Sequence, residues 1–97
     1  MRRYLLSPIA EQDIDDIISY IAQDNPTAAM KMLDSFFTAM DMLAEHPQMG
    51  HSRTDLTNMP VRFWPVRSHY LMIYKEGNPL EIVRVLSGYR DIASLLF

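Results

Sequence analysis

Two dipeptides, Ser7-Pro8 and Asn25-Pro26, narrow the folds open to this chain more than anything else in it. In each, a short polar side chain that can accept from the free N–H groups of a first helical turn precedes a proline, whose fixed φ and missing N–H suit the first helical position. A helix is therefore predicted to start at each pair. Between them Ile14, Ile17, Ile18 and Ile21 follow the i, i+3, i+4, i+7 spacing of one helix face, and Asp13, Asp15, Asp16 and Ser19 fall elsewhere. The first helix must stop near Gln23 for the second to begin within a few residues, and so short a connection forces an antiparallel hairpin. The second helix carries Ala29, Met32, Leu33, Phe36, Phe37, Met40, Leu43 and Ala44 on one stripe. Lys31, Asp34, Ser35, Thr38, Asp41 and Glu45 lie opposite, and His46-Pro47 followed by Gly50 ends it.

Ahead of the hairpin "RRYLL" reads as a short strand, and behind it come three β-branched and aromatic runs, "VRFWPV", "HYLMIYK" and "LEIVRVLS". "EGNP" is a turn signal between the last two, so the runs read as an antiparallel meander, and Pro65 puts the first at an edge or bulge. Residues 47–60 have no clear period, and loops of that length in compact domains are often functional. "RDIASLLF" reads as a short terminal helix or an apolar tail. The 97 residues suffice for one core, so residues 1–97 form a single α+β domain. Its N-terminal strand and two-helix hairpin pack on one face of a small antiparallel sheet, in the order β-α-α-β-β-β, and the other sheet face is left to water or a partner.

The absence of cysteine removes disulfides, thiolate catalysis and cysteine-based zinc sites, and suits a reducing cytoplasm. The N-terminus lacks the apolar segment of a signal peptide, and no apolar run approaches the roughly 20 residues of a membrane helix. No serine sits in a Gly-x-Ser-x-Gly elbow that would make a triad with His46, His51 or His69. His46, His51 and Asp55 lack the paired spacing of a metal site, and no glycine pattern cradles phosphate, so neither metal nor cofactor is expected.

The net charge of −3 is unevenly spread: residues 1–52 carry three bases against eight acids, residues 53–97 six bases against four acids. The cationic half holds Arg53, Arg62, Arg67, Arg84 and Arg90 together with Tyr70, Tyr74 and Tyr89. Such a set can pair phosphates and stack bases, or it can meet acids on a protein surface. Arg84 is the odd member, a guanidinium between two valines of a core strand. Period-two alternation puts it on one face with Ile82 and Leu86, and a structural role would satisfy it with Asp91, Asp55 or Glu81. Met42, on the polar side of the second helix, offers an adaptable thioether to a partner chain.

The stretches "LSPIAEQDIDDIISYIAQDNPTAA", "LAEHPQMGHSRTDL", "PVRSHYLMIYK" and "IVRVLSGYRDI" resemble, in order and at the expected spacing, the signature stretches of ParE-type toxins in the ParE/RelE superfamily of bacterial type II toxin–antitoxin systems. The resemblance implies a helical hairpin on a small antiparallel sheet and a toxin, carried on a plasmid or in a chromosomal cassette, that a cognate antitoxin neutralises. ParE-type members poison DNA gyrase without being nucleases, whereas RelE-type members cleave mRNA on the ribosome. A nuclease mapping would fall on Arg53, Arg84 and Tyr89, but many relatives read His-Gly where this chain has Ser87-Gly88. The sequence pI of about 5.4 also suits an RNA-bound enzyme poorly. The expected function is thus gyrase inhibition without catalysis. mRNA cleavage, and a toxin-like binding protein without toxicity, are the alternatives. The expected antitoxin contacts are Met42, Arg62, Arg67 and Arg84, met by an amphipathic C-terminal segment of the antitoxin, with no membrane association and no direct DNA binding by this chain alone.

Overall fold

The structure, a computed structural model, describes residues 3–88. The elements run β1 (Tyr4–Leu6), α1 (Pro8–Asp24), α2 (Pro26–Glu45), β2 (Arg62–Val66), β3 (Tyr70–Lys75) and β4 (Leu80–Ser87). Tyr89, Arg90, Asp91 and the terminal helix or tail expected beyond them lie outside the described residues.

Both punctuation pairs act as read. Ser7 Oγ accepts from the Ala10 N–H at 3.0 Å, and Asn25 Oδ1 accepts from the Ala28 N–H at 3.0 Å. Asn25 also closes α1, donating its own N–H to the Ile21 carbonyl at 2.9 Å, so one residue ends the first helix and starts the second. The hairpin covers one face of a four-stranded sheet of order β1-β4-β3-β2. The core between them holds Ile14, Met32, Phe36, Met40 and Leu43 from the helices against Met72, Tyr74, Leu80, Ile82 and Val85 from the sheet.

β2, β3 and β4 form the expected antiparallel meander, but β1 joins β4 in parallel, making the sheet mixed. No short turn links these strands, since the hairpin, β2 and β3 intervene, so nothing local imposes antiparallel pairing. Pro65 sits on an edge strand, as its missing N–H requires. β3 is central, and Leu71, Met72, Ile73 and Tyr74 are all buried, the pattern of a strand covered on both faces. The sheet face away from the helices accordingly carries a second apolar cluster of Val61, Phe63, Leu71, Ile73 and Leu86, with Leu56 of the long loop packed against it, rather than being left to water or a partner.

The period of β4 is broken. Its register with β3 shifts between Ile73 and Tyr74, so that Ile73 faces Arg84 while Tyr74 faces Ile82, and Val83 is the extra residue of a bulge. Ile82 therefore enters the helix-side core and Leu86 the opposite cluster, which corrects the single face predicted for Ile82, Arg84 and Leu86. The bulge is bonded to α1 and its cap: the N-cap Ser7 Oγ donates to the Val83 carbonyl at 2.8 Å, and the Val85 N–H donates to Asp13 Oδ2 at 3.0 Å.

The aperiodic loop is fastened at its start by Tyr74, whose buried hydroxyl donates to the Pro47 carbonyl at 2.6 Å and accepts from the Gly50 N–H at 2.9 Å. A Cβ at Gly50 would come within 2.5 Å of that hydroxyl, hence the glycine. His51 then exchanges both backbone hydrogen bonds with Phe63 on the outer edge of β2. Burial pushes the Tyr74 phenol above its ordinary value of 10.0, against the opposing pull of the Gly50 N–H and of Arg62. A group raised on folding contributes stability fully below its unfolded pKa and loses it as pH climbs through the folded one. Stability should therefore decline above about pH 10, and this decline should be shallower in Tyr74→Phe. At neutral pH Tyr74→Phe should itself cost about 1–2 kcal/mol in chemical denaturation, because the Pro47 carbonyl and Gly50 N–H lose their partner.

Candidate partner-binding site

A groove of about 440 Å³ runs between α2 and the edge strand β2. Helical spacing places Ser35, Thr38 and Met42 along one wall, and Trp64, Pro65 and Arg67 form the other. Two of the four predicted antitoxin contacts, Met42 and Arg67, thus meet in one groove. Met42 is half-buried there, not on a fully polar face.

Arg67 owes its position to a costly turn. Arg67 and Ser68, between β2 and β3, have φ of +54° and +64°, the left-handed region that turns of this kind normally give to Asn and Gly. Each such residue costs about 1 kcal/mol relative to its relaxed backbone. From this turn the Arg67 Nε donates to Ser35 Oγ at 2.8 Å, and Ser35 Oγ donates to the Lys31 carbonyl at 3.1 Å. The guanidinium is thereby held across the groove mouth while remaining exposed.

The other two predicted contacts lie elsewhere. Arg62, at the far end of β2, donates from Nε to Glu76 at 2.9 Å and from Nη1 to the Gly50 carbonyl at 2.8 Å, bracing the loop fastened by Tyr74. Arg84 forms a two-pronged pair with Asp13 of α1, Nε to Oδ2 at 2.8 Å and Nη2 to Oδ1 at 2.9 Å. The side chains are only 21% and 13% exposed, and a small groove of about 220 Å³ lined by Asp16, Ile17 and Ser87 opens beside them. Hydrogen bonding to Asp13 holds the Arg84 charge more firmly than usual, against the opposing effect of burial. Asp13 is thus a partner that the sequence reading did not name. Of the three acids predicted, Glu81 is three residues away along β4 at an exposed position, Asp55 is engaged by Arg53, and Asp91 is outside the described residues.

Arg53 and Asp55 form an exposed pair within the long loop, Nε to Oδ1 at 3.0 Å and Nη2 to Oδ2 at 2.8 Å. The hydrogen bonds draw the Asp55 carboxyl below its usual range and raise Arg53. Of the nuclease trio, then, both described members, Arg53 and Arg84, are held by carboxylates on separate elements, and Tyr89 is outside the described residues. No cluster of three metal-ligating side chains occurs among the described residues, and no described helix is long and apolar enough to cross a membrane.

Sequence reasoning missed Asp13, Ser35, Trp64 and Ser68. A signal existed for Asp13: with Ala10 and Ile17 it forms an i, i+3, i+7 series, at the border of the buried stripe, which sets it apart from Asp15 and Asp16. Ser35, Trp64 and Ser68 acquire their places only when α2 and the β2–β3 turn come together.

Comparison with known proteins places this geometry. Residues 4–92 match the family described as the ParE toxin of the type II toxin–antitoxin system parDE. The chain is 26% identical over 83 residues, 86% of its own length and 84% of the relative's, to the Sinorhizobium fredii (strain NBRC 101917 / NGR234) protein named "Putative toxin Y4kP". It also superposes on a chain from a solved structure titled as a chromosomal ParDE system from P. aeruginosa, with a TM-score of 0.71 at 18% identity, covering 89% of this chain and 95% of that one.

Proposed function

Given that the chain belongs to the ParE toxin family of type II toxin–antitoxin systems, we propose that it inhibits DNA gyrase as a binding protein and is silenced by a cognate antitoxin seated in the α2–β2 groove. The observation that carries this reading over mRNA cleavage is the two-pronged Arg84–Asp13 pair. A guanidinium that clamps a transition-state phosphate must present its donors to the substrate, whereas this one spends two of its N–H groups on a carboxylate of its own chain. Arg53 is engaged likewise by Asp55. The overall negative charge adds to this, since binding to ribosomal RNA depends on neutralising phosphates.

For the antitoxin, the groove offers an apolar side chain on each wall, Met42 and Trp64, and an exposed cation in Arg67. It suits an amphipathic segment whose apolar anchors supply most of the binding and whose acids meet the rim. Induced expression of the chain with and without its antitoxin, read in parallel for DNA breaks, gyrase supercoiling activity and mRNA cleavage at ribosomes, tests the reading. DNA breaks and lost supercoiling, both relieved by the antitoxin, are expected. Ribosome-dependent mRNA cleavage with intact supercoiling would overturn it in favour of an endonuclease.

A further inference from the structure

A second groove lies on the opposite side of the hairpin from the first. Leu6 of β1, Ile14 of α1 and Leu33 and Phe37 of α2 form its apolar surface, and Glu11 and Asp15 of α1 stand along it; its volume is about 430 Å³. Phe37, expected on the buried stripe of α2, is instead 43% exposed. With Leu33 and Met30, itself 58% exposed, it forms an i, i+3, i+7 ridge beside the groove.

The charges here are of one sign. Among the described residues, no basic side chain lines this groove. Among the described residues the Glu11 and Asp15 carboxylates make no hydrogen bond or ion pair, and at i, i+4 spacing they repel each other. The N-terminus of α1 accounts for Glu11, which sits in the first turn, but its field does not reach Asp15 one turn further on. An apolar trough edged by exposed carboxylates is complementary to an amphipathic helix with a cationic border.

We infer that the Leu6–Ile14–Leu33–Phe37 groove docks a cationic amphipathic helix of a protein partner, at a surface separate from the α2–β2 groove. A second copy of this chain is a poor occupant. A two-fold contact sets a patch against itself, and here it would bring Glu11 and Asp15 of both copies together. The inference does not depend on whether gyrase or the ribosome is the target.

The test uses the full chain and a fluorescein-labelled model helix with leucines on one face and lysines on the other, alongside a counterpart with glutamate for every lysine. Anisotropy should show saturable binding of the lysine helix, weakened by added salt, and no binding of the glutamate helix. Glu11→Lys with Asp15→Lys, both at exposed positions, and separately Phe37→Ser, should each weaken binding about tenfold or more with the circular dichroism spectrum unchanged. Met42→Ser should leave it as it was. Amide shifts on titration should map to α1 and α2 around Asp15 and Phe37. Equal binding of both helices, shifts confined to the α2–β2 groove, or indifference to the charge-reversed and Phe37→Ser variants would each overturn the inference. So would sedimentation showing a dimer that Phe37→Ser dissolves, since the groove would then be an interface between copies.

Discussion

Asp13→Ala should lower the folding stability by about 3 kcal/mol and the Tm by about 12–24 °C, the largest effect of any single acid in the two helices. The Asp13 carboxylate accepts from Arg84 Nε and Nη2 and from the Val85 N–H, so its loss takes these acceptors from a part-buried guanidinium and a bulge amide together. Its neighbours Asp15 and Asp16 are exposed, and their alanine variants should melt close to wild type. Arg84→Ala should cost less, about 2 kcal/mol, because Asp13 keeps the Val85 N–H and has some access to water. Thermal melts of the four variants decide the matter, and an unchanged Tm for Asp13→Ala would mean that α1 does not hold the bulge. The Arg84→Ala protein should also be assayed for ribosome-dependent cleavage. Intact stability and antitoxin affinity with abolished cleavage would identify an enzyme.

Antitoxin affinity should fall about 100-fold in the double variant Met42→Ser/Arg67→Glu, equivalent to about 2.7 kcal/mol, while the Tm moves by only a few degrees. Met42 is half-buried and Arg67 exposed, so neither anchors the core. The strained turn makes this prediction sharper. Arg67→Gly and Ser68→Gly each remove a side chain from a left-handed backbone and should raise stability by about 1 kcal/mol. Only Arg67→Gly should weaken antitoxin binding, since it alone removes the guanidinium held at Ser35. Arg62→Glu, by contrast, should act chiefly on stability through the lost Glu76 and Gly50 bonds. Isothermal titration calorimetry beside melting curves separates these outcomes. Wild-type affinity in Arg67→Gly would remove Arg67 from the interface.

Much of this was legible in the chain itself, for a physical reason that can be stated residue by residue. Ser7-Pro8 and Asn25-Pro26 work through bonds spanning three residues, and the isoleucine ladder of α1 through contacts spanning one or two turns. Interactions so short in sequence do not depend on what lies elsewhere, which is why the two helices, their hairpin and the three-stranded meander could be read directly. The family resemblance, carried by stretches distributed along the whole chain, agrees with that element order.

The site depended on closure over long sequence distances. Asp13 meets Arg84 across 71 residues and Ser35 meets Arg67 across 32, and nothing in the local pattern around either arginine names its partner. The bulge at Val83 shifts the alternation of β4 by one, moving Leu86 to the opposite face from Ile82, because Ser7 at the cap of α1 and Asp13 within it satisfy the backbone groups that the bulge takes out of the ladder. Likewise the parallel direction of β1, the exposure of Phe37 and the sharing of one groove by Met42 and Arg67 are set by where the hairpin rests on the sheet. Periodicity determines which elements form and which of their faces are apolar. Which arginine is tied down and which is presented is determined only when those faces meet, because a charge takes its partner from space and not from sequence.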